Sequence, residues 1–217
     1  MRSQWVVCFL RDAPIESAWD HYKLLLPYKD MIVGVGLDSN EYDNPPSRFY
    51  DLYQQARDDG FKLTCHCDVA QPATHENIRQ VASMIGGTGA ERIDHGLDAA
   101  SDPDLVKLIK EKGTGMTLCP WAYVRHHTEK NLFAYLRILF DEGIIIMISS
   151  DSPAYVESQW LEENLKLIRL KASFTDEELE QLMKNAVEIS WATVDVKRDF
   201  RQELEHFVAG YHDHSIT

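Results

Sequence analysis

Histidine and carboxylate side chains occur in this sequence at intervals that suit a hydrolytic metal site. His66 and Asp68 lie in the segment FKLTCHCD, His95 lies in RIDHGL, and Asp151 ends IIIMISSD. Imidazole nitrogens and carboxylate oxygens are zinc ligands, and zinc lowers the pKa of a water molecule to about 7. A further histidine beside that water would complete its deprotonation. These residue types therefore indicate metal-assisted hydrolysis, provided that the fold brings them together.

Side-chain alternation along the strands predicts which way these groups point. In FKLTCHCD, a period of two places Cys65 and Cys67 on an apolar face and His66 and Asp68 on the opposite face. Because neighbouring residues of a strand point to opposite sides, Cys65, His66 and Cys67 cannot converge on one metal ion. In IIIMISSD, Asp151 falls on a largely apolar face, where an ionised carboxylate requires a metal ion or a protonated histidine beside it.

Six apolar segments predict short strands, and helical patterns follow them. The segments are WVVCFL, MIVGVGL, FKLTCHC, RIDHGL, GMTLCP and IIIMISSD. Such alternation favours a parallel sheet, either open or closed into a barrel. The open dinucleotide-binding fold is disfavoured because VGVGLD lacks the third glycine of G-x-G-x-x-G. Polar residues follow nearly every strand, as at the active end of a barrel, so the predicted fold class is an α/β barrel of TIM type. Six of eight βα units are recognisable, so we expect an incomplete barrel with C-terminal helices.

Capping residues predict where several helices begin and end. One helix is expected between Ser101 and Gly113 and another between Thr128 and Gly143. The sequence TDEE, from Thr175 to Glu178, predicts a capping box at the start of a third helix.

Composition limits the classes of partner. The chain has 217 residues and is 44% hydrophobic, so we assign residues 1–217 to one domain. Its 35 acidic and 22 basic residues give a net charge of −13, which disfavours nucleic acid and anionic membranes and favours small molecules or proteins. The four cysteines show no CxxC spacing, and WVVCFL is too short for a signal peptide or a membrane span. We therefore expect a cytoplasmic protein.

Four segments in this order, FKLTCHCDV, ERIDHGLD, LCP and ISSDSPAY, resemble the motif series of the adenosine/adenine deaminase family. MIVGVGLDSNE and FTDEELEQLMKNAVEIS also resemble that family, so the similarity covers most of the chain. Members of the family are zinc-dependent TIM-type barrels that hydrolyse the 6-amino group of a purine. The resemblance implies that His66 and Asp151 bind zinc, and that His95 orients and deprotonates the attacking water. The six strands would correspond to the third to eighth strands of the barrel.

Two departures from the family pattern concern the metal and the proton donor. A strand with the family's His-x-His pair does not precede WVVCFL, so this chain alone is expected to bind zinc weakly through His66 and Asp151. Val69 stands where the family has the glutamate that protonates the purine ring. Asp68 is the alternative proton donor, and the replacement Val69→Glu is expected to raise activity.

Other positions are predicted to contact the substrate. Ser39 stands where the family has a glycine against the base, and Ser152 where it has an acidic residue that grips the purine. The segment from Arg125 to His127 begins a loop after a strand, and such loops reach substrates in barrels. The segment from His212 to His214 has the His-x-His spelling, but it follows a helix near the chain terminus and is interpreted as an ordinary tail.

Three functions are consistent with the sequence. The first is a zinc-dependent purine aminohydrolase acting on an adenine-type compound, favoured by His66, His95 and Asp151, although this incomplete barrel alone is expected to show negligible activity. The second is a catalytically silent, deaminase-like interaction module, favoured by Val69 and by the lack of the first strand. The third is another metal-dependent barrel hydrolase acting on a non-purine amide or amine. In an incomplete barrel, WVVCFL and IIIMISSD would be open edges, so self-association through them is also expected.

Overall fold

Six parallel strands form one sheet, which confirms the predicted α/β fold class. The structure is a computed structural model that describes residues 3–126, 131–156 and 160–214. Each strand pairs with its neighbour in sequence, so the order across the sheet is the order along the chain. The strands are β1 (Trp5–Leu10), β2 (Ile32–Asp38), β3 (Lys62–Cys67), β4 (Arg92–His95), β5 (Gly115–Leu118) and β6 (Ile146–Ile148).

Helices connect the strands and continue after the last one. The helices before β6 are α1 (Ile15–Leu25), α2 (Tyr50–Asp58), α3 (Thr74–Ser83), α4 (Pro103–Lys112), α5 (Pro120–His126) and α6 (Leu132–Asp141). Those after β6 are α7 (Pro153–Val156), α8 (Leu161–Lys171), α9 (Asp176–Ile189) and α10 (Val194–His214). The predicted C-terminal helices are therefore present.

Most of the predicted helix ends agree with the structure. Gly113 closes α4 in the left-handed conformation, and the capping box from Thr175 to Glu178 opens α9. The predicted start at Ser101 is wrong by one residue, because the Asp102 carboxylate accepts hydrogen bonds from backbone N–H groups of the first turn of α4. The predicted start at Thr128 lies outside the described residues.

Side chains along β3 alternate as predicted. Cys65 and Cys67 are fully buried on the face that packs against α2 and α3. Thr64 lies on the other face together with His66, and its hydroxyl donates to the Asp94 carboxylate of β4 at 2.7 Å. The face opposite the helices is therefore partly polar, as expected for the inside of a barrel.

A tryptophan fills the amino end of the sheet. A Cβ atom on Gly34 of β2 would lie 2.3 Å from Cζ3 of Trp191, so only glycine admits the ring at this place. The Arg92 guanidinium lies 4.4 Å from the centre of the Trp191 ring and pairs with Asp94 at 3.1 Å. The first glycine of VGVGLD therefore serves packing, in agreement with the rejection of a dinucleotide-binding fold.

The sheet does not close into a barrel across the described residues. β1 and β6 lie at its two ends, as expected for an incomplete barrel. Trp5 and Leu10 of β1 are 60% and 52% exposed, so the edge at β1 presents apolar side chains to solvent. Among the described helices, none combines the length and the apolar character needed to cross a membrane.

Candidate active site

The predicted catalytic and metal-binding residues meet at the carboxyl ends of the strands. His66 lies near the end of β3, His95 ends β4, and Asp151 follows β6. Together with residues of α5 they surround a cavity of about 270 Å³, which is lined by His66, Asp68, His95, Ala122, Tyr123, His126 and Asp151. Parallel strands place their carboxyl ends at one rim, and this is why residues far apart in sequence become neighbours.

Glu41 orients His66. Its Oε1 atom lies 2.8 Å from His66 Nδ1 and accepts from the backbone N–H of Asp68 at 2.7 Å, while Oε2 accepts from Asn77 at 3.2 Å. The fully buried guanidinium of Arg11 lies 3.3 Å from Oε1 and donates to the carbonyl oxygen of His66 at 2.8 Å. Because an ionised carboxylate can only accept, Nδ1 carries a proton, and Nε2 of the neutral ring remains available to a ligand.

The pair of Glu41 and His66 shifts both pKa values. Burial, the largest single effect, lowers the pKa of His66, but the hydrogen bond to Glu41 and the negative charges nearby outweigh it, so the pKa is raised above 6.5. Burial also raises the pKa of Glu41, whereas the hydrogen bond from His66 and the charge of Arg11 reverse this effect, so the pKa is lowered. A metal ion that binds His66 must therefore displace a proton at mildly acidic pH.

His95 has different surroundings. Its side chain is buried, its Nδ1 lies 2.8 Å from the Tyr123 hydroxyl, and its ring meets that of His66 edge-on, with centroids 4.3 Å apart. Burial, and then the neighbouring His66, lower the pKa of His95 to about 4. The ring of His95 is therefore neutral at physiological pH and able to accept a proton.

Potential metal ligands cluster around His95. Donor atoms of His66, Asp68 and His95 lie within 4.8 Å of one another, and so do those of His95, Cys119 and Asp151. The two predicted zinc ligands, His66 and Asp151, thus belong to two groups that share His95. Burial raises the pKa of the Cys119 thiol, which keeps it protonated unless a metal ion binds. The described residues offer more donor groups than the two predicted ligands.

Three of the predicted site residues have left-handed backbone conformations. The φ angles are +74° at Ser39, +65° at His95 and +59° at Asp151, each just after or at the end of a strand. Such conformations cost residues other than glycine about 1 to 3 kcal/mol each and persist where the surrounding structure requires them. Their concentration at the carboxyl ends of β2, β4 and β6 marks this rim as the functional one.

The other residues predicted to contact the substrate lie outside the cavity or only partly within the described residues. Ser39 and Ser152 are exposed, and neither lines the cavity, so their roles as substrate contacts stay predictions. In the segment from Arg125 to His127, His126 lines the cavity and His127 lies outside the described residues. The side chains of 212–214 also lie outside the description.

Val69 points away from the cavity. Its side chain is 1% exposed and belongs to the hydrophobic core, whereas the neighbouring Asp68 lines the cavity. A carboxylate at Val69 would be buried among apolar groups, so the structure removes the basis for expecting a gain of activity from Val69→Glu. Asp68 is left as the candidate proton donor in this segment.

Sequence reasoning assigned no role to three residues of the site, although one of them, Glu41, ends the family-like segment MIVGVGLDSNE. Arg11 directly follows β1, Glu41 lies shortly after β2, and Tyr123 lies in the helix that follows β5. Their position after a strand was a signal that they share the functional rim. Their partners depend on contacts between segments that are distant in sequence, and no spacing rule predicts these contacts.

A parallel sheet with imidazoles and carboxylates at its carboxyl rim has the arrangement of TIM-barrel-type folds, which build their sites at this end. The model of the adenosine deaminase family matches residues 1–207. An uncharacterized deaminase of Schizosaccharomyces pombe is 39% identical over 209 residues, which cover 96% of this chain and 60% of that protein. An adenine deaminase of Cupriavidus necator is 33% identical over 210 residues, which cover 94% of this chain and 57% of that protein. The crystal structure of an adenine deaminase from Arthrobacter aurescens superposes with a TM-score of 0.85 at 29% identity, over 95% of this chain and 62% of that chain.

The chain belongs to the adenosine deaminase family, which confirms the resemblance carried by the sequence motifs. Members of this family are metal-dependent. The chain spans about 60% of the length of the curated relatives described above.

Proposed function

We propose that this site is the centre of a metal-dependent purine deaminase acting on an adenine-type compound. The observation that supports this most is the meeting of His66, Asp68, His95 and Asp151 at one cavity, within segments that resemble the family motifs. The adenine deaminases among the relatives favour a 6-aminopurine. A volume of about 270 Å³ lies just below the usual range for ligand cavities, which begins near 300 Å³, and favours a substrate as small as a free base.

The side chains of the site suit a zinc ion. His66 binds Glu41 through Nδ1, and a carboxylate in this position is the usual partner of a metal-binding histidine. Asp151 adds a carboxylate oxygen, and Asp68 and Cys119 offer further donors close by. Zinc bound there would supply positive charge that activates water near neutral pH. We take His66 and Asp151 as the proposed ligands.

The remaining groups would move protons. The neutral imidazole of His95 accepts a proton from the attacking water. The water oxygen bonds to the purine C6 atom, His95 passes its proton to the amino group, and the C–N bond breaks so that this group leaves as ammonia. The hydroxyl formed at C6 gives its proton to the Asp68 carboxylate as the product carbonyl forms. Asp68 is the proposed donor of a proton to the purine ring, because it is the carboxyl of the cavity that is not assigned to the metal. Ser39 and Ser152 are retained as proposed contacts on the rim.

Zinc content and ammonia release test this proposal. The incomplete barrel alone predicts negligible activity, but the site residues meet at one cavity, so we expect the zinc-supplemented chain to release ammonia from adenine, adenosine or AMP. It should lose this activity on chelation and in His95→Ala and Asp151→Ala. His75→Ala is a matched control that should keep activity, because His75 bonds to Asp98 and Ser101 outside the cavity. Zinc binding without deamination of any purine would refute the purine substrate, and activity without a metal ion would refute the metal-dependent mechanism.

An interaction module is the second candidate function, and the open edge at β1 favours it. We propose that a second copy of this chain pairs through the edge strands, since exposed parallel edges recruit other strands. Light scattering after size exclusion should show dimers or larger species, and Trp5→Lys should reduce them. Leu170→Lys is the control, because Leu170 is 78% exposed on α8 and belongs to neither edge strand. A monomer at all concentrations would refute this association.

The proposed cellular location and substrate class are supported by the cysteines and by the net charge. All four cysteines are free thiols, which supports the proposed cytoplasmic location. The net charge of −13 supports a small-molecule substrate over nucleic acid.

A further inference from the structure

Tyr123 contacts the second ring nitrogen of His95. Its hydroxyl lies 2.8 Å from Nδ1 and accepts from the backbone N–H of Cys119 at 3.0 Å. The two rings are both buried, with centroids 5.4 Å apart at an angle of 70°. With Nδ1 engaged by this hydroxyl, Nε2 is the nitrogen left to act in the cavity.

The helix that carries Tyr123 is itself anchored. The backbone N–H of Trp121 donates to Oδ1 of Asn164 at 2.9 Å, and its indole N–H donates to the carbonyl oxygen of Glu163 at 3.1 Å. Asn164 is fully buried on α8 and donates to the carbonyl oxygen of Trp160 at 3.0 Å. Tying α5 to α8 in this way fixes the position of the Tyr123 hydroxyl before any substrate binds.

We propose that Tyr123 is a positioning residue that holds His95 in the tautomer with its proton on Nδ1, so that Nε2 serves as the proton acceptor. This inference rests on the proposed role of His95 as the base. A neutral imidazole has two tautomers, and the hydrogen bond at one nitrogen selects between them. The phenol oxygen has two lone pairs, so it can accept from Cys119 N–H and from Nδ1–H together.

The phenol acts as a neutral group. Burial raises the pKa of Tyr123 well above its ordinary value, so the hydroxyl keeps its proton at physiological pH. In the proposed arrangement the hydroxyl accepts from Nδ1–H, whereas donation of its own proton to Nδ1 would give the Nε2–H tautomer, and the nitrogen signals of His95 distinguish the two. Tyr123→Phe would preserve the ring packing and remove the hydroxyl, which contacts both His95 Nδ1 and the backbone N–H of Cys119.

Nitrogen NMR of the histidine side chains tests the inference directly in the zinc-supplemented full chain. The signals of His95 are identified by their loss in His95→Asn. We expect the wild-type ring to carry its proton on Nδ1, and Tyr123→Phe to show a mixture of both tautomers. Tyr53→Phe is the matched control, because Tyr53 is also fully buried and donates to the carbonyl oxygen of Thr64 at 2.7 Å, outside the cavity. It should leave the signals of His95 unchanged.

Kinetics give a second, separate readout. In Tyr123→Phe we expect kcat to fall about 10- to 100-fold with little change in KM, because the base is misplaced while the substrate still binds. An Nε2–H tautomer in the wild type, an unchanged tautomer in Tyr123→Phe, or a loss confined to KM would each overturn the inference. If the tautomer shifts as expected but the wild type deaminates no purine, the proposed function fails and the positioning of His95 stands.

Discussion

Replacing Glu41 by glutamine keeps the shape of the side chain and removes its charge. Glu41 accepts from His66, Asp68 and Asn77 and pairs with Arg11. The glutamine amide has one acceptor oxygen, but its nitrogen is a donor. A side chain that can either donate or accept no longer requires the proton of His66 to lie on Nδ1. His66 then loses its orientation, and zinc loses a preorganised ligand.

The structure sets the size of both expected effects. Loss of a carboxylate that supports a metal-binding histidine lowers metal affinity about 10- to 100-fold, or about 1.4 to 2.7 kcal/mol. Breaking a buried ion pair costs about 3 to 5 kcal/mol, and here Arg11 and Glu41 have side chains that are 0% and 3% exposed. Because Arg11 keeps its hydrogen bonds to the carbonyl oxygens of His66 and Asn44, we expect a smaller loss, of about 2 to 3 kcal/mol.

Zinc affinity is measured by competition with a chromophoric chelator, and the free energy of unfolding of the metal-free chain is measured in urea. Glu91→Gln is the matched control: Glu91 pairs with Arg57 at 2.9 Å and accepts from the N–H of Leu63 at 2.9 Å, at the amino ends of the strands. It should leave zinc affinity unchanged and cost about 1 kcal/mol or less, because the pair is partly exposed. A zinc affinity in Glu41→Gln equal to that of the wild type and of Glu91→Gln would refute the orienting role.

Two further outcomes follow from burial and charge. Because the pKa of His66 is raised, the zinc affinity of the wild type should fall as the pH drops through that raised value, by up to about tenfold per pH unit. In Glu41→Gln the fall should begin at lower pH. Chelator competition over a pH series measures both profiles, and identical profiles would count against this prediction. Val69→Glu should lower the melting temperature and give no gain in deaminase activity, because the new carboxylate is buried in the core; a stable variant with raised activity would restore the original expectation from the sequence.

Local sequence patterns predicted most of the strands and helices. Period-two alternation located Cys65 and Cys67 on the buried face of β3 and His66 on the other, because one face of this strand is covered by helices. The start of α4 was displaced from Ser101 to Asp102, since both residue types cap helices and only the contact decides between them. The open sheet was predicted by counting six strand segments where a closed barrel of this type has eight, which is a property of the chain as a whole and not of any local pattern.

Some residues of the site could be predicted from the sequence and others could not. His66, His95 and Asp151 stand out because a histidine or a carboxylate at the end of an apolar strand violates the hydrophobic pattern. Glu41 and Tyr123 violate no pattern, because a glutamate in a loop and a tyrosine in a helix are ordinary in composition. Their roles come from hydrogen bonds across segments distant in sequence, and the structure is needed to show them.

Two of the histidines that line the cavity, His66 and His95, have pKa values shifted in opposite directions, and this separation divides their tasks. Glu41 raises the pKa of His66 by holding a proton on Nδ1, which leaves Nε2 for a cation. Burial and the adjacent His66 lower the pKa of His95, so its ring stays neutral and can take a proton from water. A metal ion beside His66 would add positive charge within reach of His95 and oppose its protonation further. The base can therefore hold its proton only briefly, which suits a step that passes the proton on to the leaving amine.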